Sequence, residues 1–269
     1  MTQLKRVSGR HGDFLVPPQD IYIGRSLELY GQWCEEEVRL FSQIVRPGMV
    51  VVEVGANIGS HTVPLARLAG PEGQVIAVEL QPFVAQILST NLLMNGLTNA
   101  LVLLAGVARA PGSLMVPAIR YDSAFNFGGI SIDFLSDTQT PQAVRVPVAP
   151  LDDLLKMPRV DLLKLDVEHK ELEALEGGAR LIEAHRPVIY LENDDPEATA
   201  PLLAFLHARD YRCYWHRSVL WDPDNHAGNP ENVFGGQRCV NMLAVPGDRP
   251  VTGMAEATDA ASHPRHSGL

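Results

Sequence analysis

The chain lacks most of what would tie it to a membrane, to nucleic acid or to an oxidising compartment. Its apolar runs are strand-length, so no segment is predicted to span a bilayer. Residues Met1 to Phe14 are polar and carry no apolar stretch of the kind a signal peptide needs. Basic clusters are missing too: 22 Lys and Arg face 32 Asp and Glu, a formal net charge of −10. That argues against nucleic acid as a partner, since a grip on phosphate rests on grouped cations. Only three cysteines occur, Cys34, Cys213 and Cys239, widely spaced and odd in number. This fits neither a disulfide framework nor a zinc-site spacing, and the expectation is a soluble, cytoplasmic protein.

What is present is an ordinary globular mixture, 46% hydrophobic and 20% charged, in 269 residues, enough to bury a sizeable core. From about residue 48 to 215, apolar blocks alternate with helical patterns. That alternation predicts a doubly wound α/β fold with a mostly parallel sheet. Strands are expected at Met49–Val54, Gln74–Val78, Leu101–Leu104, Val160–Leu165 and Val188–Leu191, the first of them rich in β-branched apolar residues as strands covered on both faces are. Helices are expected at Pro82–Asn95, ended by Gly96, and at Glu171–Ala184. Tyr211–Trp215 and Cys239–Val245 read as two closing strands.

Around this core, residues 1–47 read as an N-terminal segment with helix near Glu35–Val45, and 48–246 as the main domain. Two stretches read as substrate-side: 109–150, as strands and loops with the turn Asn126-Phe127-Gly128-Gly129, and 216–238, as a loop with Asn225, Asn229 and Asn232. Residues 247–269 are apolar-poor and are expected to be a disordered tail.

The motif richest in chemistry is Val50-Val51-Val52-Glu53-Val54-Gly55-Ala56-Asn57-Ile58-Gly59, a buried strand entering a Gly-containing turn at the sheet's carboxyl edge. Doubly wound folds bind ligands there. Gly55 permits the turn and a close ligand approach, and Gly59 permits close packing of the next helix. About 20 residues on, Glu79 ends the second strand and is placed to accept hydrogen bonds from a ribose. A dinucleotide site wants a middle Gly so that a pyrophosphate can approach, and here that position is Asn57. S-adenosylmethionine has no pyrophosphate, and its sulfonium suits the acid Glu53. His61, just past the turn, reads either as a ligand contact or as the start of its helix.

At the end of the fourth strand stands Asp166, followed by Glu168 and His169, and at the end of the fifth Glu192 and Asn193. Asp166 is the first choice to orient an acceptor or take its proton. His169 is a second candidate base because imidazole titrates near neutrality. Asp166, Glu192 and Asn193 form an oxygen-rich set of the kind that could hold magnesium, although a solvated acidic turn explains them as well.

Several blocks together resemble the FkbM family of methyltransferases: Tyr30-Gly31-Gln32-Trp33, Glu53 to Thr62, Asn91 to Leu97, Leu151-Asp152-Asp153-Leu154, Asp161 to Glu168, and Arg186-Pro187-Val188. The resemblance implies a class I (Rossmann-like) methyltransferase fold whose sheet ends in an antiparallel strand. It also implies methyl transfer from S-adenosylmethionine to a hydroxyl of a small-molecule or carbohydrate-like acceptor. One departure stands out, because the family usually has Gly after the acid at 168 and this chain has His169. Two alternatives stay open, a nicotinamide-dependent oxidoreductase and a cofactor-binding protein without turnover.

Overall fold

The computed structural model describes residues 3–117, 119–130, 142–247 and 249–266. Its centre is a seven-stranded sheet, joined by a two-stranded hairpin and a three-stranded sheet. In chain order the central strands are β3 (Val50–Val54), β4 (Gln74–Glu79), β5 (Ala100–Leu104), β9 (Leu162–Leu165), β10 (Val188–Glu192), β11 (Tyr211–Val219) and β12 (Arg238–Pro246). Their spatial order is β11-β12-β10-β9-β3-β4-β5. β5, β4, β3, β9 and β10 pair in parallel, and β12 runs antiparallel between β10 and β11. The chain steps outward from β3 to β5 and then returns to place β9 on the other side of β3. This reversal is where doubly wound sheets open a crevice at their carboxyl ends.

The apolar character of the strands follows from two helical layers, one on each face. Val51, Leu162, Val188 and Tyr190 face α2 (Glu35–Ile44) and α3 (Thr62–Ala69). Val52, Leu163, Ile189 and Leu191 face the other way, toward α6 (Glu171–Gly177), α7 (Ala179–His185) and α8 (Pro196–His207). A strand buried on both faces has no polar side to show. The alternation also settles where polar residues go. Glu53 and Lys164 are cross-strand partners and share the α2–α3 face.

Several sequence expectations need correction. The helix expected over Glu171–Ala184 is two helices broken at Gly177-Gly178, where a side chain on Gly177 would come within 3.0 Å of the Ala108 carbonyl oxygen. The N-terminal segment is not only helical. It opens with the hairpin β1 (Lys5–Gly9) and β2 (Gly12–Val16), followed by α1 (Ile23–Tyr30) and α2. The hairpin docks on α4 (Pro82–Met94). Fully buried Asn91 bonds both the N–H and the C=O of Leu15, and Asn95 does the same for Asp13. These two residues of the Asn91–Leu97 block therefore act as clamps.

The strands expected within 109–150 are β7 (Gly112–Val116) and β8 (Val144–Ala149), which join β6 (Gly106–Val107) in the small sheet. Residues 131–141 of that stretch lie outside the described residues. β11 extends to Val219, so the later loop begins after it. In that loop Asn225 bonds the backbone of Asp222 and Asn229, Asn229 bonds Leu29 and Glu231, and Asn232 bonds Phe234 and Gly235. All three asparagines hold the loop's own shape.

The expected disordered tail is ordered over residues 249–266. Trp215 N–H donates to Ala255 and Ala257 N–H to Cys213, so this segment pairs with the outer edge of β11. A bare edge strand leaves N–H and C=O groups unpaired, and here the chain supplies its own cover. His263 is fully buried, with Nε2 2.9 Å from the Asn193 carbonyl oxygen, and Arg265 forms an ion pair with Asp194 at 2.8 Å. Among the described residues, no helix is long and apolar enough to cross a membrane.

Candidate active site at the carboxyl ends of the sheet

A cavity of about 560 Å³ opens where β3, β4, β9 and β10 end. Of the residues expected to bind a cofactor, Gly55, Asn57, His61 and Glu79 line it. Gly55 has φ of +80°, and a β-carbon there would lie 1.8 Å from the Asp166 carbonyl oxygen. The residue is glycine because β3 and β9 meet backbone to backbone at this point. Asn57 is also left-handed, at φ +49°, and its N–H donates to Glu79 Oε2 at 2.9 Å. Gln81 N–H donates to the other Glu79 oxygen at 2.7 Å. Burial pushes the Glu79 carboxyl up to about 7 against those N–H bonds. The Asn126–Gly129 turn closes the same side. A side chain on Gly128 would meet the Asn57 amide at 3.2 Å, and Gln81 donates to the Phe127 carbonyl.

Two expected cofactor residues are not among those lining the cavity. Glu53 lies on the helix-covered face, accepting from Thr62 Oγ1 at 2.7 Å with Lys164 Nζ at 3.5 Å. Its countercharge is the protein's own lysine, so it is not available to a positive ligand. Gly59 packs against α4, where a β-carbon would come 2.6 Å from Leu88 Cδ1. His61 does line the cavity. It is buried, its Nε2 has no hydrogen-bond partner among the described residues, and burial with nearby Lys164 keeps it well below its ordinary pKa.

On the β9 and β10 side, Asp166, Glu168, Glu192 and Asp194 line the cavity. Carboxylate oxygens of Asp166, Glu168 and Glu192 lie within 4.8 Å of one another. Burial, then the neighbouring Asp166, raises Glu168 to about 8 and Glu192 well above its ordinary range. Asp194 is fixed by Val240 N–H and Arg265. Asn193 departs from expectation, because its side chain turns inward to Thr199 and Glu168 takes its place in the oxygen cluster. His169 is exposed, has φ of +70° and is absent from the lining. The left-handed backbone at 168 and 169 accounts for a glycine preference at that point.

The sequence reading missed Lys164, which is 2% exposed and reaches Asp166 Oδ2 at 3.1 Å. A lone cation inside Leu162-Leu163-Lys164-Leu165 was the available signal, since a buried charge needs partners. It also missed Glu37, which lines the cavity from α2, and Arg265, which no local pattern links to the site.

Comparison with known proteins agrees with this architecture. The profile of the FkbM methyltransferase domain matches residues 53–213. Methyltransferase sdnD of Sordaria araneosa is 30% identical over 157 residues, 47% of this chain and 59% of that protein. The chain thus matches less than two thirds of that relative's length. A SAM-dependent O-methyltransferase structure from Thermotoga maritima superposes with a TM-score of 0.50 at 15% identity, covering 80% of this chain and 66% of that one, and shares the fold. The FkbM methyltransferase structure from Methylobacillus flagellatus KT gives a TM-score of 0.46 at 17% identity, covering 77% and 50%. The strand-turn motif beginning at Glu53, the Asp161–Glu168 strand end and most of the central sheet fall inside the profile match, and the chain belongs to the FkbM methyltransferase family.

Proposed function

We propose that the cavity binds S-adenosylmethionine on its Gly55–Asn57–Glu79 side and directs methyl transfer to a hydroxyl of a small-molecule or carbohydrate-like acceptor. The observation that carries this is the clip between Asn57 N–H and Glu79 at adjacent strand ends, opening on the cavity. The donor set fits the group. Each Glu79 oxygen spends one lone pair on a backbone N–H, which leaves acceptor capacity for hydroxyls. Asn57, in place of the glycine a pyrophosphate would need, turns its side-chain oxygen back to the Ile58 N–H. That speaks against the nicotinamide reading.

When bound, S-adenosylmethionine supplies an electrophilic methyl group on a sulfonium. The chain has to bring a hydroxyl into line with it, exclude water and receive the hydroxyl's proton. Lys164 fixes the Asp166 carboxylate from below, and Asp166 orients the acceptor oxygen. Glu168 beside it, raised to about 8, can take the departing proton once it is ionised at higher pH. His169, exposed and outside the cavity, has no part in this reading.

A hard cation such as magnesium would find its oxygen ligands on Asp166, Glu168 and Glu192. Turnover lost to a chelator and restored by magnesium would support that role. Full turnover in chelator leaves the carboxylates to orient the acceptor directly.

The cofactor assignment is tested by calorimetric titration of the chain with S-adenosylmethionine and with nicotinamide cofactors. Glu79→Gln is expected to weaken binding of the first about tenfold, one charge-assisted hydrogen bond's worth. A folded Glu79→Gln protein with undiminished affinity would refute it. Methyl-labelled cofactor offered with polyol and sugar acceptors separates an enzyme from a protein that only binds.

A further inference from the structure

Cys34 and Cys239 stand 205 residues apart in sequence, yet their sulfurs are 3.6 Å apart at the wall of the cavity. Cys34 caps α2, Glu37 follows one turn later, and Cys239 enters on β12. A carboxylate oxygen of Glu37 and the two sulfurs all lie within 4.8 Å of one another. Two residues beyond Cys239 on the same strand face, Asn241 donates to Glu37 Oε1 at 3.1 Å and so holds the carboxylate in position.

We propose that Cys34, Cys239 and Glu37 form a binding site for a zinc-type divalent ion, with its open position toward the cavity. The spacing is the first argument. With zinc–sulfur bonds of about 2.3 Å in tetrahedral geometry, two thiolates sit about 3.8 Å apart. The observed 3.6 Å is close to that. A disulfide would need the sulfurs to close to about 2.05 Å. The donor set is the second argument, because two thiolates and a carboxylate suit a borderline-soft ion better than magnesium.

The third argument is His61. Its Nε2 is buried, has no hydrogen-bond partner among the described residues and lies 3.8 Å from Glu37 Oε2. A bond to the Trp33 backbone engages its ring on the other side. A buried nitrogen left unpartnered and aimed at Glu37 is a position at which a cation or a proton can be shared.

Charge permits the ion as well. A divalent ion would displace the thiol protons, as zinc does on binding thiols generally. Two thiolates, one carboxylate and a divalent ion leave a single negative charge, and Lys164 is close enough to Glu37 to offset it. Cys239, Glu37 and His61 line the cavity while Cys34 lies behind them. Three protein ligands with the fourth position open to a cavity is the arrangement of catalytic rather than purely structural zinc sites. A neutral hydroxyl or thiol is the class of ligand that position would take. The ion site itself does not depend on the methyl-transfer reading.

The experiment uses the reduced, untagged full chain, stripped with chelator, dialysed and titrated with cobalt(II). One equivalent is expected to produce an intense near-ultraviolet thiolate-to-cobalt band with tetrahedral visible bands, displaced by one equivalent of zinc. Cobalt on the Asp166–Glu168–Glu192 carboxylates alone would give no thiolate band. Cys239→Ser should lose the band and Cys213→Ser should keep it, with circular dichroism confirming both folds. Should Cys239→Ser fail to fold, alkylation of the wild-type chain decides. Zinc is expected to slow modification of Cys239 at least about tenfold while leaving Cys213 unchanged. The proposal is overturned if the reduced chain shows no thiolate band, if the band survives Cys239→Ser, if zinc gives no protection, or if the two cysteines oxidise to a disulfide in the presence of the metal.

Discussion

The backbone of Gly55 rests against the carbonyl of Asp166, so closely that a β-carbon at 55 would stand 1.8 Å from that oxygen. One contact therefore fixes both the turn after β3 and the strand end that carries Asp166, on two sides of the cavity. A substitution at 55 cannot be read as simple exclusion of a ligand, because it must first separate β3 from β9. Gly55→Ala is expected to lower stability by roughly 2–4 kcal/mol, from strain at positive φ together with overpacking. Cofactor affinity should fall with it. Urea unfolding and calorimetry on the same samples check this, and a variant as stable as wild type would show that the two strands can part freely.

Lys164 lies between Glu53 at 3.5 Å, with which it is buried, and the half-exposed Asp166 at 3.1 Å. Lys164→Met leaves Glu53 as a buried acid without its countercharge. Removing one partner of a buried ion pair costs about 3–5 kcal/mol. Turnover should drop as well, since Asp166 loses the group that aims it. Chemical denaturation and single-turnover rates measure the two effects separately.

His169 occupies a left-handed position at φ +70° and is exposed. A residue other than glycine is strained there by about 1 kcal/mol. His169→Gly is expected to raise stability by about that amount and to leave turnover and its pH profile unchanged. A hundredfold loss of turnover would return the imidazole to the chemistry.

Burial raises four acids around the cavity, Glu79 and Glu171 to about 7, Glu37 and Glu168 to about 8, against an ordinary value of 4.5. The folded chain then binds protons in a range where the unfolded chain has released them. Stability is highest below about 4.5 as far as these groups go, and is lost as pH rises through 7 and 8. The melting temperature should fall between pH 5 and pH 8, by roughly 2–4 °C for each kcal/mol lost. Cofactor affinity should move the other way, because ionised Glu79 is the better acceptor for hydroxyls and the better partner for a sulfonium. In Glu79→Gln the affinity should be flat across the same range.

The sheet was legible because its strands are covered on both faces, which makes Val50–Val52 and Val188–Leu191 unbroken apolar runs. Glu79 was legible from its distance beyond the turn. Glu53 was misplaced because the turn beside it drew the eye, although strand alternation already paired it with Val51 on the helix-covered face. The N-terminal hairpin was missed because what holds it is remote, two asparagines on α4. The tail was misread for the same reason. Its few apolar residues are enough only because β11 offers an edge to pair with. The pair Cys34 and Cys239 leaves no trace in local spacing, since it exists only once β12 has been inserted beside β10.

The segment that follows β12 lies along β11 through Ala255 and Ala257 and ends with Arg265 on the cavity wall. Shortening the chain after Gly247 would do two things together. It would bare a nine-residue strand edge able to recruit a second copy of itself, and it would unpin Asp194 in the cavity wall. Trimming those residues to aid crystallisation would yield a protein that associates through β11 and has lost part of the wall it was meant to show.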